Sequence, residues 1–279
     1  QCIDSLLQQS YDKNTIAIYL VNDGSTDTTG EILNSFSHHH HINIIHHEKN
    51  RGLSAARNTG IKSGTGEVII FLDSDRTVQP NWISEHINIL RNNNVVGVIG
   101  DSQLPHGNIP TKLDSYLYDP RRGARRFGEG TPIRFSYFLL NNTSLKRSVF
   151  DVIEFFDENI MSYGGEDTEL AIRLWEAYPD GLRFSFSATC EHHHPRELND
   201  YCNLMYGYGK TNLPSLLEQF PQYNTELGGQ WIKSIKGYLL FNPIVRFWVA
   251  KTRHFRNSFW LSRYLVIDAV IRGARTVSR

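Results

Sequence analysis

Cysteine is scarce in this chain of 279 residues: Cys2, Cys190 and Cys202 form an odd set with no metal-ligand spacing. That count argues against a disulfide scaffold or a structural zinc module and fits a reducing compartment, unless two of the three lie close enough to pair. Net charge is missing as well. Lys and Arg number 29 and Asp and Glu number 29, so no global field points to nucleic acid or to an acidic membrane surface. No apolar run approaches the roughly 20 residues of a membrane span, and no stretch reads as a leader peptide. A Gly-rich, basic phosphate-gripping loop near the start is absent, which counts against a nucleotidyltransferase, and no internal repeat is visible. What remains is 40% hydrophobic and 21% charged, ordinary for one large domain or one domain with an appendage. The composition reads as an α/β enzyme of the cytoplasm.

The first hundred residues alternate helix and strand. QCIDSLLQQSY has helical apolar spacing, TIAIYLVNDGS reads as a buried strand running into a turn, and DTTGEILNSF as a capped helix. INIIHH is a strand, LSAARNTGIKSG a helix ended by Gly64 or Gly66, and GEVIIFLDSD a strand ending in carboxylates. PNWISEHINILRNN and VVGVIGD add a helix and a strand. This alternation predicts a mostly parallel sheet with helices on both faces, and ligands in such sheets sit beyond the carboxyl ends of the strands. Further on, PRRGARRFGEGTP reads as a mobile loop, RFSYFLLNNTSLKRSVF as a strand, a polar turn and a helix start, and EDTELAIRLWEAY as a strong helix. LRFSFSATCEHHHP reads as a strand entering a histidine cluster, and the chain beyond is helical, aromatic and basic.

Several short patterns can carry chemistry. In FLDSD, Asp73 and Asp75 share a face if extended, and can divide a metal and a sugar hydroxyl between them; a lone D-x-D is more often a solvated turn. In YGGED, Gly164 and Gly165 permit close approach of a ligand, and Glu166 and Asp167 sit at the positive end of a helix, where an ionised carboxylate can act as a general base. Simple helix capping explains those two acids equally well. His192, His193 and His194 supply an imidazole for a mixed oxygen and nitrogen site, though most histidines are ordinary. Arg121, Arg122, Arg125 and Arg126 suit a diphosphate, or only a solvated loop. GYLLFNPIVRFWVAKTRHFRNSFW interleaves aromatics and bases and suits either a membrane interface or its own domain.

Taken in order, VNDGSTD, RGLSAARNTGI, FLDSD, NNTSLKR, YGGEDTELAIRL and HHHP resemble family-2 glycosyltransferases of the GT-A fold, over most of the chain through about Pro195. The resemblance implies an α/β, Rossmann-like, mostly parallel sheet flanked by helices, with a helical C-terminal extension. It implies a nucleotide-sugar-binding half over 1–100, an acceptor-binding and catalytic half over 101–200, and the extension over 201–279. Enzymes of this kind usually begin with a strand and a short turn that also grip the nucleotide, whereas here the first residues already read as the helix that follows; either the sequence is truncated or that strand is replaced, and a sheet edge lies open if it is absent.

Residue by residue, the resemblance implies that Asp23 reads the base, commonly uracil, and that Arg57 contacts the donor. Asp73 lies nearest the ribose or sugar, and Asp75 binds metal, Mn²⁺ or Mg²⁺, with His192 as second ligand and His194 the alternative. Asp167 is the general base, Glu166 holds the acceptor hydroxyl, and Asn142 and Gly165 face the acceptor. The expected activity is inverting, metal-dependent, hexosyltransferase-like transfer from a UDP-sugar to a glycan or lipid-linked saccharide, in bacterial surface-polysaccharide assembly. No nucleic acid is expected as partner. The expected location is cytoplasmic, at the inner face of the membrane if the C-terminal region makes contact. The rival readings are a non-catalytic glycan-binding or scaffolding relative and, less well supported, a nucleotidyltransferase.

Overall fold

Short apolar runs bounded by Gly, Asn and Asp dictate the first layer of structure. In the computed structural model, which describes residues 1–194, 196–255 and 258–277, they fold in the expected order. The first elements are α1 (Cys2–Leu7), β1 (Ile18–Asn22), α2 (Thr29–Asn34), β2 (Ile42–His46), α3 (Leu53–Ser63) and β3 (Val68–Leu72). Then come β4 (Arg76–Val78), α4 (Trp82–Leu90), β5 (Gly97–Gln103), α5 (Asp114–Leu117), β6 (Asn142–Lys146) and α6 (Phe150–Ile153). The rest are α7 (Glu166–Ala177), β7 (Leu182–His192), α8 (Leu198–Gln219), α9 (Ile235–Leu240), α10 (Pro243–Phe255) and α11 (Phe259–Val277).

β1 and β2 pair in parallel, Ile18 with Ile42 through Asn22 with His46, joined by the α2 crossover. The other strands form a sheet of order β3-β6-β5-β7-β4. Both β3 and β5 run antiparallel to β6 and so point the same way, while β4 runs antiparallel to β7. Among the described residues β1 pairs only with β2 and β3 only with β6.

The chain packs as two compact units, the first Gln1–Ser102, Phe127–Met161 and Glu166–His192, the second Gln103–Arg126, Ser162–Gly165 and His193–Arg279. In the first, Val78, Trp82, Ile83, Ala188 and Cys190 form a core against which Leu6 of α1 and Leu72 of β3 pack. In the second, Leu113, Tyr116, Leu198, Phe259 and Val266 do the same. Here α8 starts on a capping box between Glu197 and Asp200 and crosses α11 at two glycines. A Cβ on Gly209 would collide with the Val270 carbonyl, and one on Gly273 with the Tyr206 carbonyl.

Two expectations are corrected. RFSYFLL is not a strand: Phe135–Tyr137 is a single 3₁₀ turn, and the strand is β6, built on the supposed polar turn. Its Asn142, Thr143 and Ser144 are all buried: partners on α4, β5 and β7 satisfy Asn142 and Ser144, and Thr143 donates to the Leu139 carbonyl, so the polar groups that would otherwise forbid a core strand are paired. The stretch read as a mobile loop holds a 3₁₀ turn, Gly123–Arg126, although Arg121 itself is 55% exposed. Arg121 is held bidentate by Asp119 at 2.7 and 2.6 Å and lies over the Phe259 ring, while Arg122 and Arg125 lie over Tyr116 and Tyr118.

Candidate active site

β3 ends at Leu72, and the chain turns tightly through Asp73-Ser74-Asp75, with Arg76 N donating to Asp73 O at 3.2 Å. β4 then starts at Arg76, directly opposite His192 at the end of β7. This register brings Asp75 Oδ2 within 3.1 Å of His192 Nε2. Two residues separated by 117 positions therefore meet because a three-residue strand pairs with the tail of a long one.

Glu166 and Asp167 open α7 and reach the same place through Arg57, which projects from α3. The Arg57 guanidinium donates to Asp167 Oδ1 at 2.5 Å and to Glu166 Oε1 at 3.4 Å. Its other terminal nitrogen donates to the Leu140 carbonyl at 3.0 Å and lies 3.7 Å from Asp73 Oδ1. Phe156 covers the guanidinium, 5.3 Å from ring centroid to carbon. Leu140 N donates to Asp167 Oδ2 at 3.1 Å, so both carboxylate oxygens are held while each keeps a lone pair. The two acidic motifs thus converge on one buried arginine.

A second arginine, absent from the sequence reading, lies beneath the turn. Arg76 is buried, donates to Ser102 Oγ at 2.8 Å, and places Nε 3.8 Å from Asp73 Oδ2 and 4.0 Å from Asp75 Oδ1. The signal for it was its position immediately after the carboxylate pair, at the head of a strand. Four carboxylates (Asp73, Asp75, Glu166 and Asp167) meet two guanidiniums, leaving two negative charges uncompensated when all four ionise. Burial, with Asp167 beside it, pushes the Glu166 carboxyl up to about 7 against the pull of Arg57. Burial also raises Asp73 to about 6, against the pull of Arg57 and Arg76, although its side chain is still 38% exposed.

Asp75 and His192 are a carboxylate and an imidazole in contact, donors that Mn²⁺ accepts, beside a surplus of negative charge. Among the described residues no cluster of three or more His, Cys, Asp or Glu side chains is placed to hold a metal. The residues present therefore fit a cation that takes its remaining ligands from a bound anion and water. His194 is engaged elsewhere: Arg196 N donates to its Nδ1 at 3.2 Å, and its Nε2 lies 3.0 Å from Asp114 Oδ1.

Other predicted residues lie in different surroundings. Asp23 takes hydrogen bonds from His47 Nδ1 at 2.6 Å, Arg51 N at 2.9 Å and Gly52 N at 2.8 Å. Burial alone would raise its pKa, but these bonds hold it below the usual carboxylate range. Oδ2 carries one of the three and keeps a lone pair for a further N–H donor. Nearby, Asn22, Ser25, Thr26, His46 and His47 line an open cleft.

Asn142, expected to face an acceptor, is 0% exposed and belongs to the core. Its amide donates to the Asp101 and Ala188 carbonyls, and its oxygen accepts from Trp82 Nε1 at 2.8 Å and His86 Nε2 at 3.1 Å. All four of its valences are spent. Gly164 and Gly165 have φ of +81° and +104°, which explains two glycines in a row, but the close approach they permit is made by protein. A Cβ on Gly165 would lie 3.1 Å from Asn212 Cβ and 3.3 Å from Tyr208 Cε2, both on α8.

This fold, with carboxylate turns at strand and helix ends, is that of the GT-A glycosyltransferases. The mannosyltransferase from Pyrobaculum calidifontis, solved in complex with GDP-Man and Mn²⁺, superposes with a TM-score of 0.65 over 98% of this chain and 81% of that one, at 15% identity. Glycosyl transferase family 2 matches residues 1–151, and the chain belongs to that family. Glycosyltransferase GlyA of Streptococcus pneumoniae is 45% identical over 83 residues, 30% of this chain. The glucosyl-dolichyl phosphate glucuronosyltransferase of Haloferax volcanii is 24% identical over 202 residues, 69% of this chain. The matched stretches span 12% and 63% of those relatives' own lengths.

Proposed function

We propose that the protein transfers a sugar from a nucleoside-diphosphate donor, UDP-linked by its resemblance, to a hydroxyl of a glycan or lipid-linked saccharide, with inversion. The observation that carries this reading is the convergence of Asp73, Glu166 and Asp167 on Arg57, because it sets a donor-side turn and an acceptor-side helix start around one cation. Asp167 removes the proton from the acceptor hydroxyl. The oxygen bonds to the anomeric carbon on the face opposite the nucleotide, the bond from that carbon to the phosphate oxygen breaks, and the nucleoside diphosphate leaves with the electron pair. Arg57 orients Asp167, and Glu166 holds the acceptor hydroxyl beside it. Asp23 receives the base through the free lone pair on Oδ2. Asp75 and His192 would hold Mn²⁺ or Mg²⁺ together with the diphosphate, and such an ion when bound neutralises charge on the leaving group. Asn142 supports this site from the core rather than touching the acceptor.

A thermal-shift panel of UDP- and GDP-sugars, with and without Mn²⁺, tests the reading, since a ligand of the folded state raises the melting temperature by mass action. A specific donor that shifts the melt only with Mn²⁺ supports it; no shift from any member favours a scaffolding protein. Asp167→Asn should cut transfer by about 10²–10⁴ and leave donor binding intact, the range a general base contributes. Wild-type transfer by that variant would remove Asp167 from the base role.

A further inference from the structure

Two of the C-terminal helices, α9 and α10, leave large apolar side chains outside. From residue 232 to the end, ten basic residues stand against a single acid, Asp268, and Asp268 is itself buried in an ion pair with Arg246 at 3.0 Å. On α10, Ile244, Phe247, Trp248 and Lys251 recur at i, i+3, i+4 and i+7 and so share one face. That face is outward: Ile244 is 71% and Trp248 57% exposed. The inward positions hold the arginines, Arg246 on Asp268 and a buried Arg253 donating to Ser262 Oγ at 2.9 Å. α9 repeats the pattern, with Ile235 80% and Leu239 68% exposed beside Lys236. These side chains do not belong to a loose tail. Arg275 of α11 donates to the carbonyls of Trp231, Ile232 and Phe241 at 3.1, 2.8 and 2.7 Å, and Asn242 Oδ1 caps α10 by accepting from Ile244 N and Val245 N.

A helix in water turns its aromatics inward and its arginines outward; this one does the reverse where its surroundings are fixed. We propose that the outward side chains of α9 and α10 are a docking surface for an anionic lipid bilayer. Apolar groups enter the acyl boundary, and Lys233, Lys236 and Lys251 meet the headgroups. Charge selects the occupant: a segment with a large excess of base and no exposed acid complements anionic lipid, and repels a second copy of itself. No helix among the described residues is long and apolar enough to cross a membrane, so this contact is with the surface only.

The test uses the whole chain and needs no donor or acceptor, so its outcome is separate from that of the transfer reading. The protein should co-sediment with vesicles of phosphatidylcholine and phosphatidylglycerol, and far less with phosphatidylcholine alone. Trp248 emission should shift to the blue on binding. Phe247→Ser with Trp248→Ser should weaken partitioning at least about tenfold, and reversal of Lys233, Lys236 and Lys251 to Glu should cost about fivefold for each charge near the surface. Both variants should keep the wild-type melting temperature, which separates lost docking from lost folding. The proposal fails if the wild type ignores anionic vesicles, or if either variant binds them as well as the wild type. It also fails if light scattering shows a dimer, without vesicle binding, that Phe247→Ser with Trp248→Ser dissociates; that result would assign the surface to a second copy.

Discussion

Around Arg57 the protein gathers carboxylates into its interior and answers them with guanidiniums, whereas along α10 it buries Arg253, pairs Arg246 with a buried aspartate and leaves Phe247 and Trp248 outside. The contrast shows how little a summed charge says. The chain is neutral overall only because a strongly basic last stretch balances an acidic remainder. Each arrangement has its own energetics. Buried charges are costly to leave unpaired, so the Arg57 cluster should be sensitive to any change of partner. An exposed apolar face contributes almost nothing to folding, so α9 and α10 should tolerate substitution until a surface is offered to them.

The sharpest way to break this contrast is Arg57→Ala. It leaves three carboxylates around an empty position and should cost about 3–5 kcal/mol in urea unfolding near neutral pH. The loss should shrink near pH 5, where Glu166 is protonated. An unaltered midpoint would mean that the cluster is solvated and its pairing incidental. Next comes Asn142→Ala, which strands the Trp82 and His86 donors and two carbonyls and should cost about 3 kcal/mol. If stability held while acceptor KM rose, Asn142 would return to the acceptor side.

A subtler effect follows from Glu166. Its folded carboxyl keeps a proton up to about 7, while the unfolded one releases it near 4.5. Between those values the unfolded state binds fewer protons, so stability falls as pH rises through that window. Glu166→Gln should flatten this slope in a series of melts; an unchanged slope would clear Glu166 of the titration. The smallest expected change is on the other region. Trp248→Ser should move unfolding by less than about 0.5 kcal/mol, and a core-sized loss would show that the face is already covered.

Much of this was legible in the sequence, and the parts that were not share a cause. The strands before VNDGS and FLDSD, the helix after YGGED and the histidine-bearing strand end all express local periodicity, and each formed as read. Local patterns cannot show where distant elements meet. Arg57, Asp73, Leu140, Phe156 and Asp167 span 110 positions, and only the fold makes them neighbours. Arg76 was hidden in the same way. β6 was misread for a different reason: polarity normally marks a turn, and Asn142 and Ser144 violate that rule because their partners come from α4, β5 and β7. The contact of Asp75 with His192 was the easier case, since both motifs end strands, and strand ends tend to collect on one side of a sheet.

The crossing of α8 and α11 at Gly209 and Gly273 has a mechanical meaning. Main chain there rests on main chain, so no rotamer can take up a displacement, and the separation of the two helices has a single value. α11 carries Arg275, whose grip on three carbonyls fixes the start and end of α9. The outward apolar residues are therefore mounted on a stiff bracket rather than on a spring. A methyl group added at either glycine would pry that bracket open and shift a surface to which neither glycine belongs.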